Sequence, residues 1–294
     1  MEKLSSCPAC GETKILPFLE AKDYTVSSEA FEINRCNSCE LLFTNPRPKA
    51  AEAGPYYMST NYISHSDTQE GIINKLYHAV RSFTLTQKTR WIEKEKGGNF
   101  ELLDIGCGNG HFLHACQKAG WKINGMELDP ATATRAESLL GIDIYPSIKE
   151  IPKDEKFRLI SLWHVLEHVY ELEEYFHFFK SRIASGGVLL LALPNSTSFD
   201  AQYFKEYWAA YDVPRHIYHF DPNTIESLAK KYGFKLKSTK GQIFDSFYIS
   251  LLSHGYKTGK KKLISSFLVG MWSNLSAYFG KGNYSSNLYI FEHA

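Results

Sequence analysis

Three glycines at alternate positions follow an acidic residue in the segment 102–110, which reads LLDIGCGNG. Glycine lets a backbone turn tightly and approach a bound nucleoside without a clash at Cβ. A dinucleotide-binding loop has the spacing G-x-G-x-x-G and would need glycine where this chain has His111. Asp104, at the start of the loop, is unfavourable for a phosphate but favourable for a cation. The loop therefore predicts a nucleoside ligand with a cationic portion rather than a pyrophosphate.

A second acidic residue, Glu127, ends the next apolar run, about 20 residues beyond Gly108. A carboxylate at this position can accept hydrogen bonds from both ribose hydroxyls. Asp104 would in turn suit the cationic amino-acid end of S-adenosylmethionine. The two acids and the glycine loop together predict S-adenosylmethionine as the cofactor.

Four of the six cysteines form two C-x-x-C pairs, Cys7 with Cys10 and Cys36 with Cys39. A tight turn lets both thiolates of such a pair reach one ion, and four thiolates complete a closed tetrahedral zinc shell. We therefore predict a structural Zn²⁺ site that contributes folding free energy to a zinc ribbon over residues 1–48. The alternative is four unrelated buried cysteines.

Histidines occur in two segments that could supply a base near neutral pH. His164 ends an apolar run, and His168 follows one helical turn later, so the two could share a helix face. His216 and His219 lie in an aromatic segment, predicted as a lid over about 196–221, whose rings could sandwich a sugar. We take His164, His216 and His219 as candidate bases or acceptor clamps. The alternatives are helix packing for His168 and structural packing for the lid. No second metal is predicted at the two lid histidines, because no cysteine or carboxylate is spaced to complete it.

From residue 100 onward, apolar strand-like runs alternate with helical patterns, which is typical of a parallel α/β sheet. The predicted strands of this sheet are 100–105, 122–128, 143–145, 157–163 and 187–193. Two short strands, 15–20 and 31–35, are predicted between the cysteine pairs, and a helix over 72–95. The predicted organisation is a zinc ribbon (1–48), an aromatic linker and helix (49–98) and a large α/β domain (99–294).

Four successive motifs resemble those of the class I S-adenosylmethionine-dependent methyltransferases. They are LLDIGCGNG (102–110), GMELD (125–129), FRLISLWHVLEHV (157–169) and the segment 186–195. The resemblance covers about residues 100–294. It implies an α/β Rossmann-like fold, with helices on both faces of a seven-stranded, mostly parallel sheet whose last strand, 287–293, is antiparallel.

The same resemblance implies which residues bind the cofactor. The methionine portion would lie against Asp104, Gly106 and Gly108, with Glu127 on the ribose. Leu128 and the loop at Ser147 and Ile148 would flank the adenine, and the segment 164–168 would border the methyl-transfer site. The full predicted cofactor set is Asp104, Gly106, Cys107, Gly108, Asn109, Gly110, Glu127, Leu128, Ser147, Ile148, Trp163 and His164.

The segment His216 to Phe220, followed by a helix that starts near Pro222, resembles a subset of these enzymes that carry N-terminal zinc ribbons. The subset includes sugar C-methyltransferases and methyltransferases of surface-polysaccharide and natural-product assembly. This narrower resemblance implies a small-molecule or glycan-linked acceptor, with a nucleotide sugar as one candidate.

Charge argues against nucleic acid as the partner. The net charge is +1, and residues 1–50 carry six Lys/Arg and seven Asp/Glu, whereas a phosphate-reading module should be positive. Nine lysines and one acid lie between Lys230 and Lys262. Four of these lysines (257, 260, 261 and 262) precede an apolar helical pattern, within an insertion predicted over about 245–282. Residues 257–272 would fit an anionic membrane or a phosphorylated acceptor; the alternative is a helix that covers the sheet, with solvated lysines.

No apolar run approaches the roughly 18 to 20 residues of a membrane span, and the first residues have no signal-peptide pattern. We therefore predict a cytoplasmic protein with reduced thiols. The leading hypothesis is a methyltransferase for a small-molecule or glycan-linked acceptor. The alternatives are an RNA methyltransferase that grips RNA with the ribbon, and a catalytically silent S-adenosylmethionine-binding scaffold. Neither the methylated atom nor the oligomeric state is indicated.

Overall fold

The computed structural model describes residues 1–58, 72–95, 100–280 and 282–294. The predicted linker and helix over 49–98 therefore lies partly outside the described residues. Within them, ten strands form two sheets. The strands are β1 (Ile15–Lys22), β2 (Ala30–Cys36), β3 (Leu42–Thr44), β4 (Glu101–Ile105), β5 (Lys122–Met126), β6 (Phe157–Trp163), β7 (Ile183–Pro194), β8 (Tyr218–His219), β9 (Phe234–Gly241) and β10 (Ser286–His293).

The helices lie mainly between these strands, as α/β alternation requires. In the described residues they are α1 (Ile72–Glu93), α2 (His111–Lys118), α3 (Pro130–Leu140), α4 (Leu172–Arg182), α5 (Phe199–Phe204), α6 (Pro222–Lys231), α7 (Asp245–Thr258) and α8 (Leu263–Phe279). Helix α3 shows how the local sequence sets its bounds. Asp129 caps its start by accepting from the Thr132 amide, and Gly141 ends it with a φ of 69°.

The larger sheet has the strand order β5-β4-β6-β7-β10-β9, with β4 to β7 parallel and β10 antiparallel to both of its neighbours. The α/β Rossmann-like fold is thus confirmed, and the last strand is antiparallel as predicted. Alternate residues of β4 face opposite sides: Leu103 and Ile105 join one core cluster, and Leu102 joins another. Both faces of the sheet are therefore covered, which explains the nearly continuous apolar sequence of its central strands.

The prediction of seven strands was wrong, because the described part of this sheet has six. The predicted strand 143–145 contributes a single bridge between Tyr145 and Met126. The Tyr145 amide donates to the Gly125 carbonyl at 2.9 Å, but the next residue, Pro146, has no amide hydrogen with which to extend the ladder. Proline therefore ends this pairing after one residue.

The smaller sheet has the order β1-β2-β3-β8, so its fourth strand comes from the aromatic segment predicted as a lid. Leu42 pairs with His219, and Phe43 pairs with Tyr218. Both Phe43 and Tyr218 belong to the same core cluster as residues of β4, β6 and β7. The cysteine-bearing segment consequently shares a hydrophobic core with the larger sheet.

Helices α7 and α8 lie between β9 and β10 in the chain and pack against each other, and α8 also packs on α5. No helix in the described part of the chain has the length and apolar character needed to cross a membrane.

Candidate functional site

The glycine loop connects β4 to α2 and is bonded to the end of β5. The amides of Gly106 and Cys107 both donate to the Met126 carbonyl, with N···O distances of 2.7 and 3.0 Å. Gly106 has a φ of 69°, and a Cβ there would lie 2.5 Å from Val165 Cγ2. Only glycine fits this close approach without displacing Val165.

The space next to Gly108 is open, and the carboxylate of Glu127 lies beside it in a fixed orientation. Apart from its chain neighbours, no described heavy atom lies within 4 Å of an ideal Cβ on this residue, whose φ is 56°. Its amide donates to Glu127 Oε2 at 3.0 Å, and Glu127 Oε1 accepts from the Asp129 amide at 3.0 Å. Gly110 precedes α2 with a φ of 79°. A ligand can therefore approach the backbone of this loop with Glu127 held beside it.

The remaining predicted cofactor residues surround the same loop. Leu128 follows Glu127 and is 69% exposed, whereas Ile148 is buried and Ser147 is half-buried. The Glu127 amide donates to the Tyr145 carbonyl at 3.0 Å, which ties the end of β5 to the segment that leads to Ser147. Asn109 Oδ1 accepts from Arg135 Nε at 2.9 Å.

Asp104 lies buried near the end of β4 and accepts a hydrogen bond from Ser161 Oγ at 2.6 Å. Burial raises the pKa of this carboxyl to about 7, although the Ser161 bond and the charge of Lys88 oppose the shift. Such an acid is half protonated near neutrality. A cation bound beside it would favour the ionised form.

Lys88 of α1 also lies at this site and was missed by the sequence analysis. Its Nζ is 3.9 Å from the centroid of the Trp163 ring, within cation–π distance. Burial lowers the pKa of Lys88, while the carboxylates of Asp245 and Asp104 oppose that shift. No motif marks this lysine, because it precedes the glycine loop on a helix that showed only apolar periodicity.

His164 directly follows β6 and has a φ of 56°, a strained conformation for a residue other than glycine. Its ring lies between two carboxylates, with Nδ1 3.5 Å from Glu167 Oε1 and Nε2 3.5 Å from Asp245 Oδ2. Burial would lower the pKa of His164, but the two carboxylates outweigh it and raise the pKa to about 9. His164 is therefore a cation at neutral pH and suits a clamp better than a base.

Glu167 is 1% exposed, in the short turn Leu166–His168, and lies between His164 and His216. Its Oε1 is 3.9 Å from His216 Nε2. Burial would raise the pKa of Glu167, but the adjacent histidines lower it to about 2. His216 Nδ1–H donates to the Ala210 carbonyl at 2.8 Å, which leaves Nε2 on the side of Glu167. A buried carboxylate thus supports an imidazole that can exchange a proton.

His168 packs edge-on against His216, with ring centroids 4.6 Å apart. Burial and the neighbouring His216 lower its pKa to about 4, and its Nδ1–H donates to the Arg215 carbonyl at 2.9 Å. Ligand atoms of Glu167, His168 and His216 lie within 4.8 Å of one another and could hold a metal ion. The expectation that no cysteine or carboxylate completes a metal site with both lid histidines stays a prediction, since this group contains His216 but not His219. Glu167 reaches His216 because its carbonyl accepts from the Ile217 amide at 2.8 Å, a contact that sequence spacing does not show.

His219, the third candidate base, lies in β8 and is 4% exposed. Its Nε2 is 3.1 Å from Thr44 Oγ1, and its ring packs edge-on against Tyr211 at 5.2 Å. Burial and the proximity of His216 hold the pKa of His219 well below its usual range. The ring is thus a neutral member of the smaller sheet.

The aromatic rings of the predicted lid differ in exposure. Phe204, Trp208 and Tyr211 are buried, whereas Tyr203 is 46% exposed. Trp208 Nε1 donates to Asp200 Oδ2 at 2.8 Å. The buried rings pack into a core cluster with Phe31 and other residues of the smaller sheet, as the packing alternative implied.

A family model described as "Methyltransferase domain" matches residues 69–239, which is more than half of the chain. This chain belongs to that methyltransferase family. It is an S-adenosylmethionine-dependent methyltransferase, so the predicted enzyme class is confirmed. The implied subset of sugar and polysaccharide enzymes stays a prediction.

Named relatives and solved structures agree with this assignment. The ubiquinone biosynthesis O-methyltransferase of Rickettsia bellii is 21% identical over 200 residues, covering 62% of this chain and 82% of the relative. The corresponding protein of Rickettsia typhi is 22% identical, covering 62% and 80%. A crystal structure of magnesium protoporphyrin IX methyltransferase from Synechocystis PCC 6803 with bound SAH shows the same fold. Its TM-score is 0.50 at 15% identity, covering 81% of this chain and 97% of that one.

The four cysteines of the methyltransferase form one cluster. Sγ of Cys7 lies 3.5 Å from Sγ of Cys39, the same distance separates Cys10 from Cys36, and all four sulfurs lie within 4.8 Å of one another. A tetrahedral Zn²⁺ with Zn–S distances of about 2.3 Å places its sulfurs about 3.8 Å apart. The hydrogen bond between Cys7 and Cys39 lowers the pKa of Cys7 and raises the pKa of Cys39, as expected for two thiols that share one proton. The cluster fits a metal in spacing and in donor type.

Arg215 joins the cysteine-bearing segment of the methyltransferase to the lid. Its buried guanidinium lies 3.0 Å from Asp23 Oδ1 and 2.6 Å from Asp212 Oδ1, and it donates to the Tyr56 carbonyl at 2.8 Å. Thr44 of β3 adds a second link, since its hydroxyl donates to the His216 carbonyl at 2.9 Å. The smaller sheet thereby contacts the backbone of a candidate catalytic residue.

Proposed function

We propose that this methyltransferase methylates a hydroxyl group of a small-molecule or glycan-linked acceptor, a nucleotide sugar being one candidate, with His216 as the general base. The observation that carries the proposal is the Glu167–His216 pair, whose carboxylate lies two residues after Val165, the residue packed against Gly106 of the glycine loop. The Rickettsia relatives, which are named O-methyltransferases, support a hydroxyl acceptor.

We assign the cofactor-binding roles from the charges around the loop. Asp104 would pair with the ammonium group of the methionine portion, and Lys88 with its carboxylate. Glu127 would accept from the ribose hydroxyls, because its carboxylate is already oriented by the amides of Gly108 and Asp129. The adenine would lie between Leu128 and the loop of Ser147 and Ile148. When bound, S-adenosylmethionine would supply the methyl group and would leave as the neutral thioether S-adenosylhomocysteine.

His216 Nε2 would take the proton of the acceptor hydroxyl, which makes the acceptor oxygen a stronger nucleophile. The bond from Nδ1–H to the Ala210 carbonyl fixes the tautomer, so Nε2 carries the free lone pair. The Glu167 carboxylate stabilises the imidazolium that forms. His164, protonated between Glu167 and Asp245, would position the acceptor through its positive charge, because both of its ring nitrogens face carboxylates.

Two measurements on the purified protein test this function. Calorimetry should show binding of S-adenosylhomocysteine, and a panel of nucleotide sugars and hydroxylated small molecules should include an acceptor that drives its release. Failure of well-folded protein to bind S-adenosylhomocysteine would contradict the cofactor assignment.

The base is tested with His216→Gln and Glu167→Gln. Loss of general base catalysis lowers kcat by about 10²- to 10⁴-fold, whereas the affinity for S-adenosylhomocysteine should stay within about twofold of the parent, since neither side chain touches the glycine loop. His177→Gln, at an exposed position on α4, is the matched control and should keep full activity. A His216→Gln variant with unchanged kcat would remove His216 from the mechanism.

A further inference from the structure

Helix α8 packs on the protein through its small residues. Ser266, Gly270, Ser273 and Ala277 are its buried positions, spaced to form one face. A Cβ on Gly270 would lie 3.0 Å from the Cα of Phe247, so α7 and α8 approach closely along this face. The large side chains of α8 must therefore point away from this contact.

Hydrogen bonds fix this orientation. Ser273 Oγ donates to the buried carboxylate of Asp200 at 2.7 Å, and Ser266 Oγ lies 3.1 Å from Nδ1 of His254. Rotating α8 to bury its large residues would break both contacts and leave Asp200 short of a donor. The predicted alternative was a helix that covers the sheet, with solvated lysines, and this orientation does not favour it, because the large apolar residues of α8 point away from its buried contact.

The opposite face of α8 exposes an unusual amount of apolar surface. Ile264 is 78% exposed and Trp272 is 57% exposed, and α8 contains no Asp, Glu, Lys, Arg or His. Contiguous apolar patches of this kind mark interaction sites on soluble proteins. The exposed large residues of α8, which we call the apolar face, are Leu263, Ile264, Phe267, Leu268, Met271, Trp272, Leu275, Tyr278 and Phe279.

The charged residues beside the apolar face are all lysines. Lys257, Lys260, Lys261 and Lys262 are exposed immediately before α8, and the sequence has no Asp or Glu between Asp245 and Glu292. A second protein copy would bring its own lysines to this face, whereas an anionic lipid surface complements them. Tryptophan and tyrosine, both present on the face, are the residues enriched at the membrane–water interface.

We propose that the apolar face of α8 and the lysines before it form a docking surface for an anionic lipid bilayer, on which α8 lies in the plane of the interface. The helix inserts its apolar side chains at the level of the headgroups, while the lysines contact anionic lipid. Helix α7 begins at Asp245, whose carboxylate lies 3.5 Å from His164 Nε2, so the docked helix pair extends from the candidate active site.

Vesicle flotation tests the proposal directly. The parent protein should float with phosphatidylcholine vesicles that contain about a third phosphatidylglycerol, at least tenfold more than with phosphatidylcholine alone, and high salt should reduce the bound fraction. Ile264→Ser/Trp272→Ser and Lys260→Glu/Lys261→Glu should each lower binding at least tenfold. Affinity for S-adenosylhomocysteine should not change in either double variant, which confirms that the fold and the cofactor site are intact.

Matched substitutions elsewhere serve as controls. Phe18→Ser removes an exposed ring from β1, and Lys118→Glu/Lys153→Glu reverses two exposed lysines outside the insertion; both should bind vesicles as the parent does. Absence of binding to anionic vesicles, or equal binding by parent and both double variants, overturns the proposal. A dimer in sedimentation analysis that Ile264→Ser/Trp272→Ser dissociates, without vesicle binding, would assign the face to a second copy instead.

Discussion

At the residue scale, the raised pKa of Asp104 should make the affinity for the cofactor product depend on pH. Because burial raises the pKa of Asp104 to about 7, pairing with a cationic group below that pH requires loss of a proton. Affinity for S-adenosylhomocysteine should therefore be constant above pH 7 and fall, by up to about tenfold per pH unit, as the pH drops below 7. Calorimetry from pH 5.5 to 8 measures this slope.

The control for this slope is Asp104→Asn, which should bind more weakly and lose the dependence near pH 7. An affinity of the parent protein that does not change between pH 5.5 and 8 would show that Asp104 does not pair with the cationic portion of the ligand.

Lys88 allows a second test on a single side chain. Removing its ammonium in Lys88→Met should weaken binding of S-adenosylhomocysteine by roughly 10- to 100-fold, since hydrogen bonds to charged groups contribute about 1.5–3 kcal/mol. 5′-Methylthioadenosine, which lacks the amino-acid portion, should bind parent and variant equally. Arg90→Met, at an exposed position of α1, is the matched control. Equal losses for both ligands would indicate a structural role for Lys88.

Local spacing explains which of these residues the sequence could predict. Asp104, the glycines and Glu127 follow fixed positions at the ends of two adjacent strands, so their chemistry is readable from motifs. The charges around His164 come from Glu167, three residues further along the chain, and from Asp245, about 80 residues away at the start of α7. The contact with Asp245, and the contact of His216 with Glu167, arise from tertiary packing and cannot be predicted from sequence spacing.

At the element scale, Arg215 connects three segments. It forms buried ion pairs with Asp23, in the loop after β1, and with Asp212 of the lid, and it donates a hydrogen bond to the Tyr56 carbonyl. Removing one partner of a buried ion pair leaves an uncompensated charge and costs about 3–5 kcal/mol. Arg215→Met should therefore lower the melting temperature by many degrees, because it strands Asp23 and Asp212. Arg35→Met, at an exposed position of β2, should be nearly neutral in the same thermal scan. Similar melting temperatures for the two variants would contradict the buried-pair assignment.

The sequence predicted that α8 is a helix, but not which of its faces is buried. The apolar pattern of 263–272 indicated a helix, but α8 separates small apolar or hydroxyl residues from large apolar ones, not polar from apolar. A hydrophobicity pattern does not distinguish those two faces, since both read as apolar or neutral. The short strand β8 was missed for a related reason: Tyr218 and His219 pair with β3 only because the lid folds back on the smaller sheet.

At the scale of the whole molecule, a metal held by the four-cysteine cluster should affect catalysis at a distance. We expect one bound Zn²⁺ per chain, measurable by plasma mass spectrometry. Chelation should lower both the melting temperature and kcat, because β3 leads from the cysteine segment to Thr44, which bonds to the His216 backbone.

Readdition of Zn²⁺, but not of Mg²⁺, should restore both quantities, since thiolates prefer the softer ion. Affinity for S-adenosylhomocysteine should change little, because the glycine loop lies on the larger sheet. A metal-free protein with unchanged melting temperature and kcat would show that the cysteines do not hold a structural ion.

The pairing of β3 with β8 also bears on how this enzyme can be recombined. A graft of residues 1–48 onto another methyltransferase would carry Leu42 and Phe43 without the backbone of Tyr218 and His219 that they need. Conversely, a truncated chain that starts after residue 48 would expose Tyr218 and the rest of its core cluster to water. The N-terminal segment and the lid therefore form one structural unit. Replacing either part with the corresponding part of another methyltransferase should be tolerated only when both parts are replaced together.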